Sequence, residues 1–586
     1  MLFTAGGCKG GSGSTDAKVQ EYSTAYSGEV TTFNYLVTAS TNEFALDANM
    51  VDCLVEHDKY GVVKPSLATD WSTSSDGLVW TFNLRKNAMW VTDEGADYAE
   101  VTAQDFVDAM QYVLDSKNAS ETAEIAYGIL KNAEKYYNGE ITDFSQVGVK
   151  AKNKYVLEYT LEKPTPYFLS MLTYVCFFPV NGRFLKETGD KFGTDNKNLL
   201  YNGAYILQTF EPQNQRVFVA NDKYWDKGNV FIKKLAYTYN KEADTLSPEL
   251  FLRGDITSAA IPSSSIDAWM KDTGREKMVR PASTSFYSYF YALNFNPKFD
   301  AQYEPDNWKI AVNNLNFRKS LFHALDRKAA MTTSEPYQPE RRLSNTITPK
   351  NFVDYNGTDY TKLGNLARFV STDSFDPAKA VAYKTKAMEE LKGRAKFPVK
   401  ILVPYSTGDT DWTNRAQVVK QQMENLLGKD YIEIILLPHQ PTGFLNDTRR
   451  AGNYGMMECN WGPDYEDPET YTDPFSPENN YNWPQLAEGY KEGNGKNKYE
   501  NMVNEAKSEV LDMQKRYTLF ANAEAYLIDQ AFAIPYAIGG GGFIASYLDP
   551  FTSPYAPFGV SGEKFKYQKV MSQPMDTATY NKKFSE

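Results

Sequence analysis

The chain contains no run of about 18 or more apolar residues, so nothing in it reads as a membrane-spanning helix. It also lacks a basic surplus. Its 62 Lys and Arg face 74 Asp and Glu, giving a net charge of −12. Nucleic-acid binding draws on a basic footprint, so that partner class is excluded. Only three His are present. His57 stands in what reads as a charged helix end, His323 in a helix and His439 before Pro in a loop. None shows a metal-ligand spacing or pairs with a Ser or Cys motif, so each reads as structural and no metal is expected. The four Cys are few and far apart, which argues against a disulfide framework. Cys53, Cys176 and Cys459 read as buried thiols acting as small apolar residues. No internal repeat is visible.

What is present is bulk and aromaticity. At 586 residues, 42% hydrophobic and 14% aromatic, the chain is too long for one core and well suited to two or three lobes. Its 41 Tyr suit wet binding clefts and sheet surfaces equally, because the ring is apolar and its tip polar. At the start, Leu2 to Cys8 reads as the end of a bacterial lipoprotein signal, with small residues before a Cys whose thiol takes a diacylglycerol. Lys9 to Thr15 then reads as a flexible Gly/Ser tether.

The pattern beyond it alternates strands and helices. Glu29 to Leu36 reads as a strand and Ala45 to Glu56 as a helix. Between Pro65 and Trp90, Asp76-Gly77 is a turn dipeptide, since Gly reaches positive φ at no steric cost. After it, Trp80, Phe82 and Leu84 alternate with polar neighbours, the period of a half-buried strand. Thr102 is a good N-cap for a helix bearing Phe106, Val107, Met110, Val113 and Leu114 on one face. Tyr205 to Phe210 and Gln215 to Ala220 read as paired strands, and Tyr287 to Phe295 as another. Val399 to Pro404, Thr413 to Leu427 and Ile432 to Leu437 read as strand, helix and strand. Residues 470–499 read as a long polar loop. Tyr517 to Asp529 reads as a helix leading into a strand at Ala531 to Ala537, which Pro535 demotes to an edge. Gly539 to Gly542 has no Lys-Ser/Thr after it, so it is no phosphate loop and reads as a turn.

The wording of these segments resembles the substrate-binding lipoproteins of bacterial oligopeptide ABC importers, the family 5 extracellular solute-binding proteins. The likeness begins at PSLATDWSTSSDGLVWTFNLRKNAMW and VTAQDFVDAM. It continues through Lys163 to Pro166, Leu200 to Asp226, Asn316-Phe317-Arg318 and the segment Cys459 to Pro468. TTFNYL, VCFFPVNGRFLKE and NDKYWDKGNV are similar to the Gram-positive members. The landmarks follow in order from about Glu29 to Tyr580.

The resemblance implies an α/β fold: a class II periplasmic-binding-protein Venus flytrap with an additional third lobe. Lobe I would comprise 21–55, 167–284 and 535–586, lobe II the inserted 56–166, and lobe III 285–534, after a tether at 1–20. The crossings between lobes would lie near Ala282 to Ser288 and Phe532 to Ala537. It implies a receptor rather than an enzyme, without cofactor, that captures oligopeptides and passes them to an ABC permease. An extended peptide pairs its backbone with strand edges, so binding need not depend on peptide sequence. By matching motif position, Asp464 would take the peptide's α-ammonium and Trp461 would wall a pocket, with Tyr465 beside them as another ligand-binding candidate. Tyr289, Asn294 and Tyr35 are further ligand-binding candidates, and Cys8 is the lipidation candidate. The expected molecule is a monomer, lipid-anchored on the outer face of the cytoplasmic membrane, or on the periplasmic side in a Gram-negative cell.

Alternatives stay open. The same fold carries metal chelates, sugars and other small solutes. The crowded carboxylates Asp464, Glu466, Asp467 and Glu469 also allow a glycoside hydrolase, whose chemistry needs an acid and a base. A calcium loop is disfavoured, because the acidic run lacks the Gly and terminal Glu of an EF-hand.

Overall fold

Alternating Trp80, Phe82 and Leu84 form the strand Val79–Leu84, with Phe82 and Leu84 buried. The computed structural model describes residues 20–370, 373–440, 443–476, 481 and 483–585; Cys8 and the tether through residue 19 lie outside them. The chain divides into two compact units. One comprises residues 1–163, 172–281 and 543–586, and the other 164–171 and 282–542.

In the first unit, Val79–Leu84 pairs with Ala68–Thr73 and Val156–Thr160, and Val149–Asn153 completes a four-stranded antiparallel sheet. The helix Ala103–Leu114 starts with a capping box, Thr102 with Asp105. The Asp105 carboxylate accepts from Thr102 N at 2.8 Å and from Trp90 Nε1 at 3.0 Å. One acid therefore fixes both the helix start and the end of the hairpin region. Its burial pushes its pKa up to about 7, outweighing the hydrogen bonds that favour the charged form. A second four-stranded sheet runs Glu21–Tyr26, Lys234–Tyr239, Gln215–Ala220, Tyr205–Glu211, with its first pair parallel.

Some expectations fail here. Residues 29–36 are not a strand. Their N–H groups go elsewhere: Thr31 and Thr32 donate to the Glu43 carboxylate, and Phe33 to the Gly193 carbonyl. The helix expected at 45–56 is Thr41–Met50, and His57 ends the short buried strand Val55–His57 rather than a helix.

In the second unit, a three-stranded antiparallel sheet has Thr284–Leu293 at its centre, flanked by Met456–Trp461 and Ala533–Gly540. Pro535 sits in the outer strand Ala533–Gly540, where a missing N–H is tolerated, and the register shifts beside it. Val399–Ser406 and Ile432–His439 pair in parallel, joined by the helix Thr410–Leu427. One hydrophobic cluster joins these elements, from Phe290 and Trp308 to Phe520 and Ile534. Residues 470–499 differ from the polar loop expected. Tyr471, Phe475, Tyr481 and Tyr499 are buried in that cluster, and Lys498–Ser508 is a helix. Aromatic side chains spaced unevenly along a polar stretch carry no period, so the pattern hid them. The remaining Cys53, Cys176 and Cys459 are free and buried, and burial pushes their thiols well up from the ordinary value.

Candidate functional site

The central strand Thr284–Leu293 places Tyr287, Tyr289 and Tyr291 on one face and Ser288 and Phe290 on the other, by the two-residue period of a strand. Directly opposite residues share a face, so Asn460 joins Tyr289, and Glu458 joins Tyr291. The inner end of this tyrosine face is closed. Arg415 grips Glu458 through two bonds of 2.8 Å, and both are buried. The outer end is open: Tyr289 is half-buried, Asn460 is exposed and Tyr287 is 41% exposed.

The strand Met456–Trp461 runs from this face into the loop Gly462 to Glu466, which is tied down at many points. Asp464 N donates to Thr470 Oγ1 at 2.8 Å, and Glu466 N to Ser170 Oγ at 3.2 Å. Tyr465 Oη donates to Asp473 Oδ2 at 2.9 Å, and its ring stacks on Tyr167 with centroids 4.2 Å apart. Behind the loop, Arg516 forks onto Asp467 at 2.9 and 3.0 Å and reaches Glu469 at 2.5 Å. Lys507 pairs with Glu469 at 3.4 Å and with Asp473. The backbone is thus fixed while the Asp464 side chain stays exposed. The carboxylates that a hydrolase would deploy beside it, Asp467 and Glu469, are buried and engaged by Arg516.

Trp461 is half-buried, edge-on to Tyr481 at 6.1 Å. Its Nε1 and the Oγ of Ser288, its direct cross-strand partner, are buried without a hydrogen-bond partner among the described residues. The ring of Tyr287 lies against Gly462. A Cβ on that glycine would stand 2.7 Å from the Tyr287 ring, closer than real contacts allow. Tyr471 donates to the Phe286 carbonyl, fixing the backbone beside Tyr287.

Asp464, Trp461, Tyr465 and Tyr289 therefore gather at one end of one sheet. Asn294 does not join them: its side chain is buried and holds the Gly452 and Tyr454 carbonyls at 3.0 and 2.8 Å. Tyr35 lies in the other unit, buried, with its hydroxyl on the Pro179 carbonyl at 2.9 Å. Tyr287 was not singled out by sequence, although its place two residues before Tyr289 puts it on the same face. Arg516 was not either; nothing local marks an arginine 49 positions from its partner.

The family model for bacterial extracellular solute-binding proteins, family 5, middle region, matches residues 62–483. The chain belongs to this family. Along 98% of its length it is 33% identical to the oligopeptide-binding protein AliB of Streptococcus pneumoniae, covering 92% of that protein. It is 32% identical to the oligopeptide-binding protein SarA of Streptococcus gordonii, over 96% of this chain and 90% of that one. Among solved structures, the substrate-binding domain of an oligopeptide ABC transporter from Bacillus anthracis superposes with a TM-score of 0.68 at 25% identity, over 94% of this chain and 99% of that one. A murein tripeptide-binding protein, MppA, gives a TM-score of 0.71 at 22% identity over 94% and 98%. The fold of this family member is the α/β class II periplasmic-binding-protein fold. Its relatives are substrate-binding proteins found outside the cytoplasmic membrane. Among the described residues no helix is long and apolar enough to cross a membrane.

Proposed function

We propose that this chain is the extracellular receptor of an ABC importer, capturing oligopeptides and delivering them to the permease. The observation that carries this reading is the near full-length similarity to oligopeptide-binding proteins, combined with an exposed carboxylate, Asp464, on a rigidly held aromatic loop. Asp464 faces the α-ammonium of the bound peptide. A charge-assisted hydrogen bond of this kind contributes roughly 1.5–3 kcal/mol. Tyr289 supplies an apolar wall on the tyrosine face, Trp461 one on the opposite face beside Ser288, and Tyr465 positions the loop through Asp473 and Tyr167 rather than touching ligand. The receptor acts as a monomer, held at the outer face of the membrane by a lipid on Cys8.

Native mass spectrometry of the protein as purified tests the reading. Co-purified peptides are expected, or uptake of peptides from a synthetic pool without cleavage. Cleaved products would sink it in favour of a hydrolase, and retention of a metal chelate or sugar alone would favour another cargo. Asp464→Asn keeps the shape and removes the charge, so it weakens peptide binding by about ten- to a hundredfold. N-acetylating the peptide weakens the wild type similarly, and the two changes do not add.

A further inference from the structure

We propose that Tyr287 is a specificity-determining residue: its hydroxyl is a second acceptor, beside the Asp464 carboxylate, for the N–H groups of a peptide's amino terminus. The inference rests on the reading that Asp464 faces that terminus. An ammonium carries three N–H donors and no acceptor. A single carboxylate on one side leaves donors over, and a donor left unmade on burial costs more than a hydrogen bond gains. The site therefore needs a neutral acceptor close to Asp464 on the same surface.

Tyr287 meets that need. It is 41% exposed at the open end of the tyrosine face. Its hydroxyl has no hydrogen-bond partner among the described residues, in contrast to Tyr291, Tyr465 and Tyr471 on the same unit. Its ring rests on Gly462, two residues before Asp464, with the hydroxyl-bearing carbon nearest the glycine. Partial burial, with the Asp464 charge second, raises its pKa above the ordinary phenol value. The hydroxyl consequently stays neutral at pH 7, with lone pairs to offer and no charge to repel Asp464.

Gly462 is part of the same device. Any Cβ there would meet the Tyr287 ring at 2.7 Å, so glycine is the residue that lets the ring lie over the loop. Tyr471 anchors the strand from behind through the Phe286 carbonyl. The predicted ligand class is narrow in one respect: peptides whose first residue carries a free primary or singly methylated amine, whatever its side chain.

The test uses retention of a random synthetic hexapeptide pool by the full chain, in three forms: free amine, N,N-dimethylated and N-acetylated. Dimethylation keeps the positive charge but leaves a single N–H. The variants are Tyr287→Phe, Gly462→Ala, their double variant and Asp464→Asn, each checked for fold by circular dichroism. Wild type is expected to prefer the free amine to the dimethylated form. Tyr287→Phe should lose about three- to tenfold of the free-amine pool and match wild type on the dimethylated pool. Gly462→Ala should do the same, and the double variant should add little. Equal losses of Tyr287→Phe on both pools would make the residue merely structural and overturn the proposal. Wild-type behaviour of Tyr287→Phe on every pool, with Asp464→Asn weakened, would overturn it while leaving the Asp464 reading intact. If wild type retains no pool, the receptor reading falls and the proposal with it; if it retains the acetylated pool as well as the free one, the Asp464 reading falls and the proposal with it, while the receptor reading stands.

Discussion

Each unit of this protein buries a cluster of mixed charge, and the two are put to different uses. In the first, Lys564 lies 2.7 Å from Asp52 and 3.3 Å from Glu56, and Lys566 lies 2.7 Å from Glu56 and 2.8 Å from Asp226. In the second, Arg516 and Lys507 serve Asp467, Glu469 and Asp473. The physics is shared. Buried ions are tolerable only when paired and hydrogen-bonded, because desolvation costs several kcal/mol per ion. The first cluster clamps an extended C-terminal stretch to a segment more than 500 positions earlier, and its acids Asp52, Glu56 and Asp226 are all engaged by the two lysines. The second braces a binding loop, and leaves one member of the acidic run, Asp464, at the surface. A crowd of carboxylates is thus informative only once its cations are known.

The sharpest way to break this comparison is to remove the cation under the loop. Arg516→Met leaves Asp467 buried without its cation and Glu469 with Lys507 alone, and should cost about 3–5 kcal/mol of stability. Peptide affinity should fall in the same variant even where the protein remains folded, since the loop carrying Asp464 loses its brace. Calorimetric unfolding and peptide titration check both. A variant with lowered stability and wild-type affinity would show that the loop holds its shape without Arg516.

Lys566→Met is the control from the other unit. It removes the cation of Asp226 and leaves Glu56 with Lys564 alone, and the expected loss is again a few kcal/mol, somewhat smaller because a single ammonium makes no planar fork. Here affinity measured below the unfolding transition should be unchanged. If it falls as far as in Arg516→Met, the clusters do not differ in use.

Neither cluster was legible beforehand, and the reason is physical. Alternation and capping act over two to four residues, so Trp80, Phe82, Leu84 and the Thr102 box announce themselves. Ion pairs form in space. Arg516 meets Asp467 across 49 positions and Lys564 meets Asp52 across 512, with no pattern between them. The same limit explains residues 29–36, where β-prone residues lose their strand because the Glu43 carboxylate takes the backbone N–H groups of Thr31 and Thr32. The site was half legible. The Trp461 to Tyr465 wording pointed at the loop, and Tyr287 to Phe295 read as a strand, but the face shared by Tyr287, Tyr289 and Tyr291 was not drawn from its period of two. What alternation cannot tell is which end of that face is closed; Arg415 and Glu458 decide it.

The smallest expected effects compare two buried acids. Glu524 in the second unit accepts from Ile347 N, Thr348 N, Thr348 Oγ1 and Tyr360 Oη, at 2.8, 2.9, 2.6 and 3.1 Å. Asp47 in the first has neither oxygen partnered among the described residues. Burial raises both pKa values: Glu524 to about 7, and Asp47 well above the usual carboxylate range, with the nearby Glu43 charge adding to it. The sign follows from linkage. Each acid binds its proton more tightly in the fold than in the unfolded chain, so its contribution is fully present below the ordinary value. It is lost as pH rises through the folded value, which for Glu524 is a window from 4.5 to about 7. Glu524→Gln should flatten the fall in melting temperature across that window but lower stability overall, because the amide cannot accept from every donor. Asp47→Leu breaks no hydrogen bond, so it should raise stability at pH 8 by about 1–2 kcal/mol and lose that advantage near pH 4. Melting curves at both pH values decide between these outcomes. A destabilised Asp47→Leu at pH 8 would mean that the carboxylate has a partner after all, and that the two acids are alike.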